Sequence, residues 1–210
     1  MGAISNFQSQ ISKADGLARV ARYEVILTPP AGADLPTEMT KTASLFCSSI
    51  SMPGHDLQTN TVKHGTEINR EMVVGHGYEG TIEATFYLDQ ALDVKSYLDS
   101  WQEAAISTVK NTVSYYKNSS GQHNYVGSMQ IFQLGSKSST QTRFQFNSNT
   151  GFSQNKRTHA EAERVYGINV EEVFPSTIAP IEYAYATADE IALLTVSFQY
   201  RKWTEMTDAT

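Results

Sequence analysis

The residue types that catalysis uses are present in the chain, but few of them lie at chemically meaningful spacings. Gly75, Gly77 and Gly80 spell G-x-G-x-x-G, which binds a dinucleotide pyrophosphate only where a helix begins directly afterwards. A strand pattern follows here instead, and the H-R-D and D-F-G motifs of a protein kinase do not follow it. We therefore interpret the three glycines as a bulge or bend between segments of a sheet.

Side chains that could bind a metal or move a proton also lack the required spacing. The five histidines include no pair four residues apart and no companion cysteine. Glu171–Glu172 and Asp189–Glu190 are adjacent carboxylates, which a strand points to opposite faces, so solvated strand ends explain them better than catalysis. The single cysteine, Cys47, follows two apolar residues and is expected to be a small buried side chain. We expect no enzyme activity, no metal and no cofactor.

The composition is that of one folded domain of ordinary size, expected over residues 1–210. The chain is 40% hydrophobic and 18% charged, which suffices for a core. A net charge of -6 argues against a protein that grips nucleic acid phosphates, because such binding uses clustered Lys and Arg. No stretch approaches the ~20 apolar residues of a membrane span, and no signal-peptide pattern opens the chain. We therefore expect synthesis and folding in a cytoplasm.

The stretch Ile68–Ser107 carries the clearest structural pattern. Alternating apolar residues predict a half-buried strand over Thr81–Leu88. The apolar period then changes to that of a helix, and Asp89 is well placed as its N-cap. This helical stripe is expected to form a helix-to-sheet core, and its residues are Val94, Tyr97, Leu98, Trp101 and Ala105.

Further strands are predicted from alternation and from flanking turn residues. They cover Arg22–Thr28, Leu45–Ile50, Leu57–Val62, Ile68–Val74, Tyr125–Leu134, Val165–Phe174, Ile181–Ala186 and Ile191–Trp203. With many strands and one major helix, the fold class is mainly β. We predict an antiparallel sandwich or barrel rather than a βαβ fold.

Three polar or terminal segments are expected to lie on the surface. The N-terminal arm, residues 1–18, carries a short helical stripe at Ile4, Phe7 and Ile11. Ala31–Thr42 is predicted to be a polar loop. Residues 135–164 are rich in Ser, Thr, Asn and Gln and are predicted to be a surface insertion, with a small hairpin around Phe144 and Phe146.

The segments Leu57–Val62 and Ile68–Val74 are predicted to form a hairpin that is polar on both faces. A long hairpin without an apolar face gains little by folding alone, so we expect a neighbouring subunit to complete it. The residues expected at this contact between subunits are Leu57, Thr59, Thr61, Ile68, Arg70, Met72 and Val74.

The chain resembles the tail tube proteins of contractile-tailed bacteriophages of the T-even type. The matching segments are Ala18–Ile26, the turn Ser51–Gly54, the hairpin to Tyr78, Tyr97–Gln102, Val173–Ser176 and Glu190–Trp203. Their order and spacing carry the resemblance, which covers most of the chain. Residues 135–164 depart from the short connection expected in the family, so no role is carried over to them.

The resemblance implies a structural virion protein. Hexameric rings would close a ring-wide β-barrel and stack into a tube that conducts DNA and the tape-measure protein during contractile injection. The implied partners are a tail sheath protein and a baseplate initiator, and the implied location is the virion tail, assembled in the host bacterial cytoplasm. Such lumens tend to be acidic, so DNA would pass without specific binding. The lumen-facing candidates are Gln58, Asn60, Glu67, Asn69 and Glu71.

Two other interpretations stay open from the sequence. A tube initiator or terminator ring, or the inner tube of a related contractile injection particle, would share the fold. A sugar-binding or hydrolytic β-sandwich of a virion would need an aromatic platform or a pair of carboxylates at catalytic spacing, which is not apparent here.

Overall fold

The computed structural model describes residues 3–13, 17–33, 35–63, 65–66, 68–78, 80–135, 146–147, 151–152, 164–181, 183 and 191–206. The helices are α1 (Ala3–Lys13), α2 (Thr37–Leu45) and α3 (Asp93–Ala105). The strands are β1 (Tyr23–Thr28), β2 (Cys47–Ile50), β3 (His55–Val62), β4 (Arg70–Tyr78), β5 (Thr81–Tyr87), β6 (Ile106–Ser107), β7 (Thr112–Val113), β8 (Gly127–Leu134), β9 (Phe146–Asn147), β10 (Gly151–Phe152), β11 (Arg164–Ile178), β12 (Leu193–Gln199) and β13 (Lys202–Glu205).

Two antiparallel sheets share the long strand β11. Its N-terminal part pairs with β8 on one side and β13 on the other, and β1 extends this sheet beyond β8. We call this sheet 1. The C-terminal part of β11 pairs with β12, and β5 and β2 complete sheet 2. This arrangement confirms the predicted mainly β, antiparallel fold class.

Strand β11 changes sheets at Glu172, which has a left-handed φ of 59°. The register against β8 shifts between Glu171 and Val173, which marks a bulge. Arg201 lies between the end of β12 and the start of β13. Its Nη1 donates to Glu172 Oε1 over 2.7 Å. Its backbone N–H donates to the Glu171 carbonyl over 3.2 Å. Both chain segments therefore pass between the sheets at one corner.

This corner corrects the prediction that Glu171 and Glu172 are solvated strand ends. They lie inside β11, and Glu171 also pairs with Lys202 at 3.0 Å. Burial tends to raise the pKa of Glu172, but hydrogen bonds from Tyr116 and Arg201 outweigh it and lower that pKa. The two carboxylates hold the returning chain at the bulge.

One apolar core lies between the two sheets and α3. Four residues of the predicted stripe are buried, Val94, Tyr97, Leu98 and Trp101, whereas Ala105 at the helix end is half-buried. The Trp101 ring meets that of Phe198 on β12 at 6.4 Å between centroids, and its Nε1 donates to the Tyr125 carbonyl over 2.7 Å. The ring contact packs α3 against sheet 2, and the hydrogen bond joins it to the segment before β8.

Two predictions about helices are wrong. Asp89 is not the N-cap, because the Leu92 N–H donates to the Asp89 carbonyl in a preceding turn and α3 starts at Asp93. The predicted polar loop is interrupted by α2, which begins inside it at Thr37 and runs past its end to Leu45; only Thr40 and Ala43 of this helix are buried. Tertiary contact stabilises this helix, since Ser44 Oγ accepts the Leu27 N–H of β1 over 3.0 Å.

Several predicted strand boundaries also change. The second strand begins at Cys47, β11 continues to Ile178, and the last predicted strand divides into β12 and β13. Most of Ile181–Ala186 lies outside the described residues, as does Phe144, while β9 and β10 pair as a small hairpin. In the arm, α1 confirms the expected helix, with Ile4 and Phe7 exposed.

We expect Trp101→Ala to lower the free energy of unfolding by about 3–5 kcal/mol, because it removes a fully buried aromatic side chain and leaves a cavity. Chemical denaturation monitored by circular dichroism measures this change. Ser96→Ala on the exposed side of α3 is the matched control and should change the stability by no more than about 0.5 kcal/mol. Equal effects of the two substitutions would contradict the placement of α3 in the core.

Candidate functional site

The β2–β5 pair of sheet 2 continues into a long exposed hairpin, β3–β4. Strand β3 follows β2 after a short turn, and β4 leads into β5. The strands pair from His55 with Tyr78 to Val62 with Arg70, which confirms the predicted hairpin. All eight residues of β3 are exposed, and on β4 Met72, Val73 and Val74 are 51%, 61% and 65% exposed. Both faces of the hairpin are open to solvent in the single chain.

The register of the hairpin assigns each residue to one of two faces, since directly opposed residues share a face. A shift between Gln58 and Thr59 leaves Val74 as an extra residue on β4, which forms a bulge. We call one face the core-side face, because Tyr78 at its base packs against the core. This face carries His55, Leu57, Thr59, Thr61, Glu71, Val73, His76 and Tyr78. The hairpin outer face carries Asp56, Gln58, Asn60, Val62, Arg70, Met72, Gly75 and Gly77.

The seven residues expected at a subunit contact are divided between these faces. Leu57, Thr59 and Thr61 lie on the core-side face. Arg70 and Met72 lie on the hairpin outer face. Val74 is the bulge residue, and Ile68 lies in the connection between the strands, where it is 94% exposed. The structure therefore brings only part of this set together on one surface.

The lumen-facing candidates are divided in the same way. Gln58 and Asn60 lie on the hairpin outer face, whereas Glu71 lies opposite Thr61 on the core-side face and accepts a hydrogen bond from its hydroxyl. Asn69 is exposed before β4, and Glu67 lies outside the described residues. These candidates alternate along each strand, so the sequence alone predicts that they share a face. The bulge shifts the pairing of the two strands and places Glu71 on the face opposite to that of Gln58 and Asn60.

An aromatic cluster at the base of the hairpin joins it to the rest of the fold. The rings of His55 and Tyr78 stack at 5.2 Å between centroids, and Tyr78 meets Trp203 of β13 at 6.1 Å. Trp203 Nε1 donates to the Gly54 carbonyl over 3.0 Å. His76 completes the cluster, 5.5 Å from His55. The sequence missed this group because its members come from three strands.

The glycines in this region have structural roles, as their interpretation from the sequence predicted. Gly80, between β4 and β5, has a φ of 78° and allows the bend there. A Cβ atom at Gly75 would lie 3.0 Å from Gln58 Oε1, because the Gln58 side chain crosses the strand at this point. The motif therefore shapes the junction of the hairpin with sheet 2.

A groove of about 570 Å³ lies between β1 and α2. Cys47, which the sequence predicted to be buried, is half-buried in the lining of this groove. The Tyr23 hydroxyl donates to the Cys47 carbonyl over 3.0 Å. Burial raises the pKa of the Cys47 thiol to about 12, although a hydrogen bond to Ser49 opposes the shift. A thiol with this pKa is a poor nucleophile at neutral pH.

The described part of the chain also shows no metal-ligand cluster of three or more His, Cys, Asp or Glu side chains. Its helices are each too short or too polar to cross a membrane. The unusual surface is therefore the exposed hairpin rather than a pocket.

Residues 18–206 match the family model described as phage tail tube protein. No curated protein sequence matches the chain. Among solved structures, the chain is similar to one from the extended sheath–tube complex of the PVC extracellular contractile injection system, with 15% identity and a TM-score of 0.54. That match covers 94% of this chain and 96% of the other.

Two further solved structures share the fold. One comes from the sheath/tube terminator of the PVC system, with 14% identity, a TM-score of 0.53 and coverage of 91% of this chain and 97% of the other. The second comes from the baseplate of the anti-feeding prophage, with 10% identity, a TM-score of 0.56 and coverage of 90% and 95%. At these identities the similarity shows a common fold.

We expect Trp203→Ala to release the hairpin, because it removes the ring contacts and the hydrogen bond to Gly54. Hydrogen exchange should become faster in β3 and β4 while the protection of β5 and β12 changes little. Trp203→Phe is the matched variant, since it keeps a ring but loses the donor, and should have a smaller effect. Unchanged exchange in the Ala variant would show that the cluster does not hold the hairpin.

We expect iodoacetamide to modify Cys47 slowly in the native protein at pH 8, because only the thiolate reacts and burial disfavours it. Raising the pH from 8 toward 10 should increase the rate at which the native protein is modified. Both values lie below the thiol pKa of about 12, so the thiolate fraction rises with pH over this range. Unfolding in guanidinium should accelerate the reaction by about two orders of magnitude or more. Rapid modification of the native protein would contradict the raised pKa of this half-buried thiol.

Proposed function

Because the chain belongs to the phage tail tube protein family, we propose that it assembles as hexameric rings, which stack into the inner tube of a contractile tail. In this proposal the tube conducts DNA and the tape-measure protein, a sheath surrounds it, and a baseplate initiator starts its growth. The protein acts structurally, without catalysis, and its location is the virion, after assembly in the host bacterial cytoplasm.

The observation that supports this proposal is the exposure of hairpin β3–β4 on both faces. Leu57 and Val73 are each 61% exposed on the core-side face, and burial of such a side chain contributes about 1.5–3 kcal/mol when complete. A contact with a neighbouring copy would remove this apolar surface from water. The hairpin would then be stabilised in the ring more than in the single chain.

The two edges of sheet 2 differ in a way that favours a head-to-tail ring. The β11 edge is blunted by Pro175, by a register shift after it, and by Gln102 of α3, whose Nε2 donates to the Pro175 and Ser176 carbonyls over 3.3 Å each. The opposite edge runs along β2 and β3, which pair on one side with β5 and β4. When one side of a subunit binds a different side of the next copy, the contact is heterologous. Repeated contacts of this kind close a ring when the rotation from one copy to the next allows it.

A single ring that initiates or terminates a tube is the second candidate function. The specific observation in its favour is that the chain shares its fold with structures from a sheath/tube terminator and from a baseplate, over 90% or more of its length. The inner tube of a contractile injection particle other than a phage would have the same subunit geometry as the main proposal.

Electron microscopy of the purified, untagged protein at rising concentration tests these proposals. Hollow tubes are the expected result, and isolated six-fold rings would favour the second candidate. A compact monomer at every concentration would contradict intrinsic assembly. Specific binding to a glycan array, or hydrolysis of a glycan, would instead favour the alternative that the protein is a sugar-binding or hydrolytic β-sandwich of a virion.

We expect Val73→Asp to prevent ring closure while the monomer stays folded, because the charge enters the apolar contact but is exposed in the single chain. Sedimentation velocity and electron microscopy measure assembly, and the melting temperature of the monomer reports its folding. Asn60→Asp on the hairpin outer face is the matched control and should still assemble. Normal tubes formed by the Val73 variant would show that the core-side face is not a subunit contact.

A further inference from the structure

Two histidines of the aromatic cluster have ring nitrogens that the fold does not use. His55 on β3 and His76 on β4 both lie on the core-side face, and both are exposed. Their ring centroids are 5.5 Å apart, and the ring planes are inclined at 68°. Neither side chain has a hydrogen-bond partner among the described residues. The lone pair of each neutral imidazole is therefore open to a ligand from solvent.

The pairing of β3 with β4 brings the two histidines together. His55 lies opposite Tyr78, and His76 lies opposite Leu57, so the histidines are diagonal neighbours on one face of the hairpin. Side chains of this size can reach each other across such a diagonal. The sequence predicted no metal site because its histidines lack ligand spacing along the chain, but strand pairing does not depend on that spacing.

Two larger aromatic rings hold the histidines in place. Tyr78 stacks on His55 at 5.2 Å between centroids and meets His76 at 6.0 Å. Trp203 meets His55 at 6.3 Å, and its hydrogen bond to the Gly54 carbonyl fixes the residue before this histidine. Side chains that are already ordered lose less conformational entropy when they bind a ligand.

The distance between the two rings suits two ligands of one metal ion. Zn²⁺ binds histidine nitrogen at about 2.0–2.1 Å with tetrahedral angles, which places the centroids of two imidazoles on one ion about 5 Å apart. The observed 5.5 Å between His55 and His76 is close to this value. A turn of either ring about its Cβ–Cγ bond selects the nitrogen that faces the ion, and this torsion has only a broad preference.

We propose that His55 and His76 bind one divalent transition metal ion of the class Zn²⁺, Ni²⁺ or Cu²⁺, for which imidazole is a suitable ligand. In the described part of the chain, no third histidine, cysteine or carboxylate completes a ligand set. Water therefore occupies the remaining positions, and the site is open, unlike the closed site of a structural zinc. The bound ion joins β3 to β4 at the base of the hairpin. This site belongs to the single chain and does not depend on assembly into a tube.

Isothermal titration calorimetry of the untagged protein with ZnCl₂ tests this site. His55→Phe and His76→Phe each keep an aromatic ring in the cluster but remove the nitrogens that bind the ion. His123→Phe is the matched control, since the His123 ring lies against Tyr116, outside this cluster. Thermal melting monitored by circular dichroism shows that each variant is folded. MgCl₂ is the control salt, because Mg²⁺ prefers oxygen ligands.

We expect the wild type and His123→Phe to bind Zn²⁺ with equal affinity, and neither to bind Mg²⁺. Loss of a ligand should weaken binding at least as much as loss of a residue that only orients a ligand, so both cluster variants should lose about tenfold or more in affinity. Zn²⁺ should also slow hydrogen exchange at the base of β3 and β4 in the wild type but not in His76→Phe. A wild type that does not bind Zn²⁺, or cluster variants that bind it as tightly as the wild type, would overturn the site.

Discussion

The passage of β11 from one sheet to the other is the constraint on which the rest of the fold depends. Glu172 adopts a left-handed conformation at this point, which costs a non-glycine residue roughly 1–2 kcal/mol. The contact with Arg201 offsets part of this cost, and it also fixes the chain where β12 ends and β13 begins. One corner therefore positions sheet 1 behind sheet 2 and sets the orientation of both faces of sheet 2.

Sheet 1 and α3 cover one face of sheet 2, whereas its hairpin extension, beyond its base, is exposed in the part of the chain that the structure describes. The aromatic cluster of His55, His76, Tyr78 and Trp203 holds the base of the hairpin, while the strands beyond it stay exposed. A hairpin fixed at one end and uncovered elsewhere suits an element that completes its contacts in an assembly. In the proposed assembly, the residues that form the subunit contacts are therefore different from those that stabilise the core.

The similarity to tube, terminator and baseplate structures at 10–15% identity follows from the same division. The fold requires alternating apolar residues in sheet 2, an apolar stripe on α3 and a corner in β11, and many sequences meet these requirements. The exposed surfaces are under no such packing constraint. They are consequently where a tube, a terminator and a baseplate subunit of one fold can differ.

The sequence by itself determined the mainly β architecture, the strands β5 and β12, the stripe of α3, the existence of the hairpin and the tail tube family. These features follow from local periodicity and from the order of short segments, and both can be read from the sequence without knowing which segments pair. Tertiary structure decided the helix α2, the start of α3 at Asp93, the continuation of β11 through Pro175 and the two faces of the hairpin. Each of these depends on a partner distant in sequence: α2 on β1, and the hairpin faces on a bulge at Val74. Alternation shows that neighbouring residues in a strand point to opposite sides, but only the pairing between strands decides which of them meet.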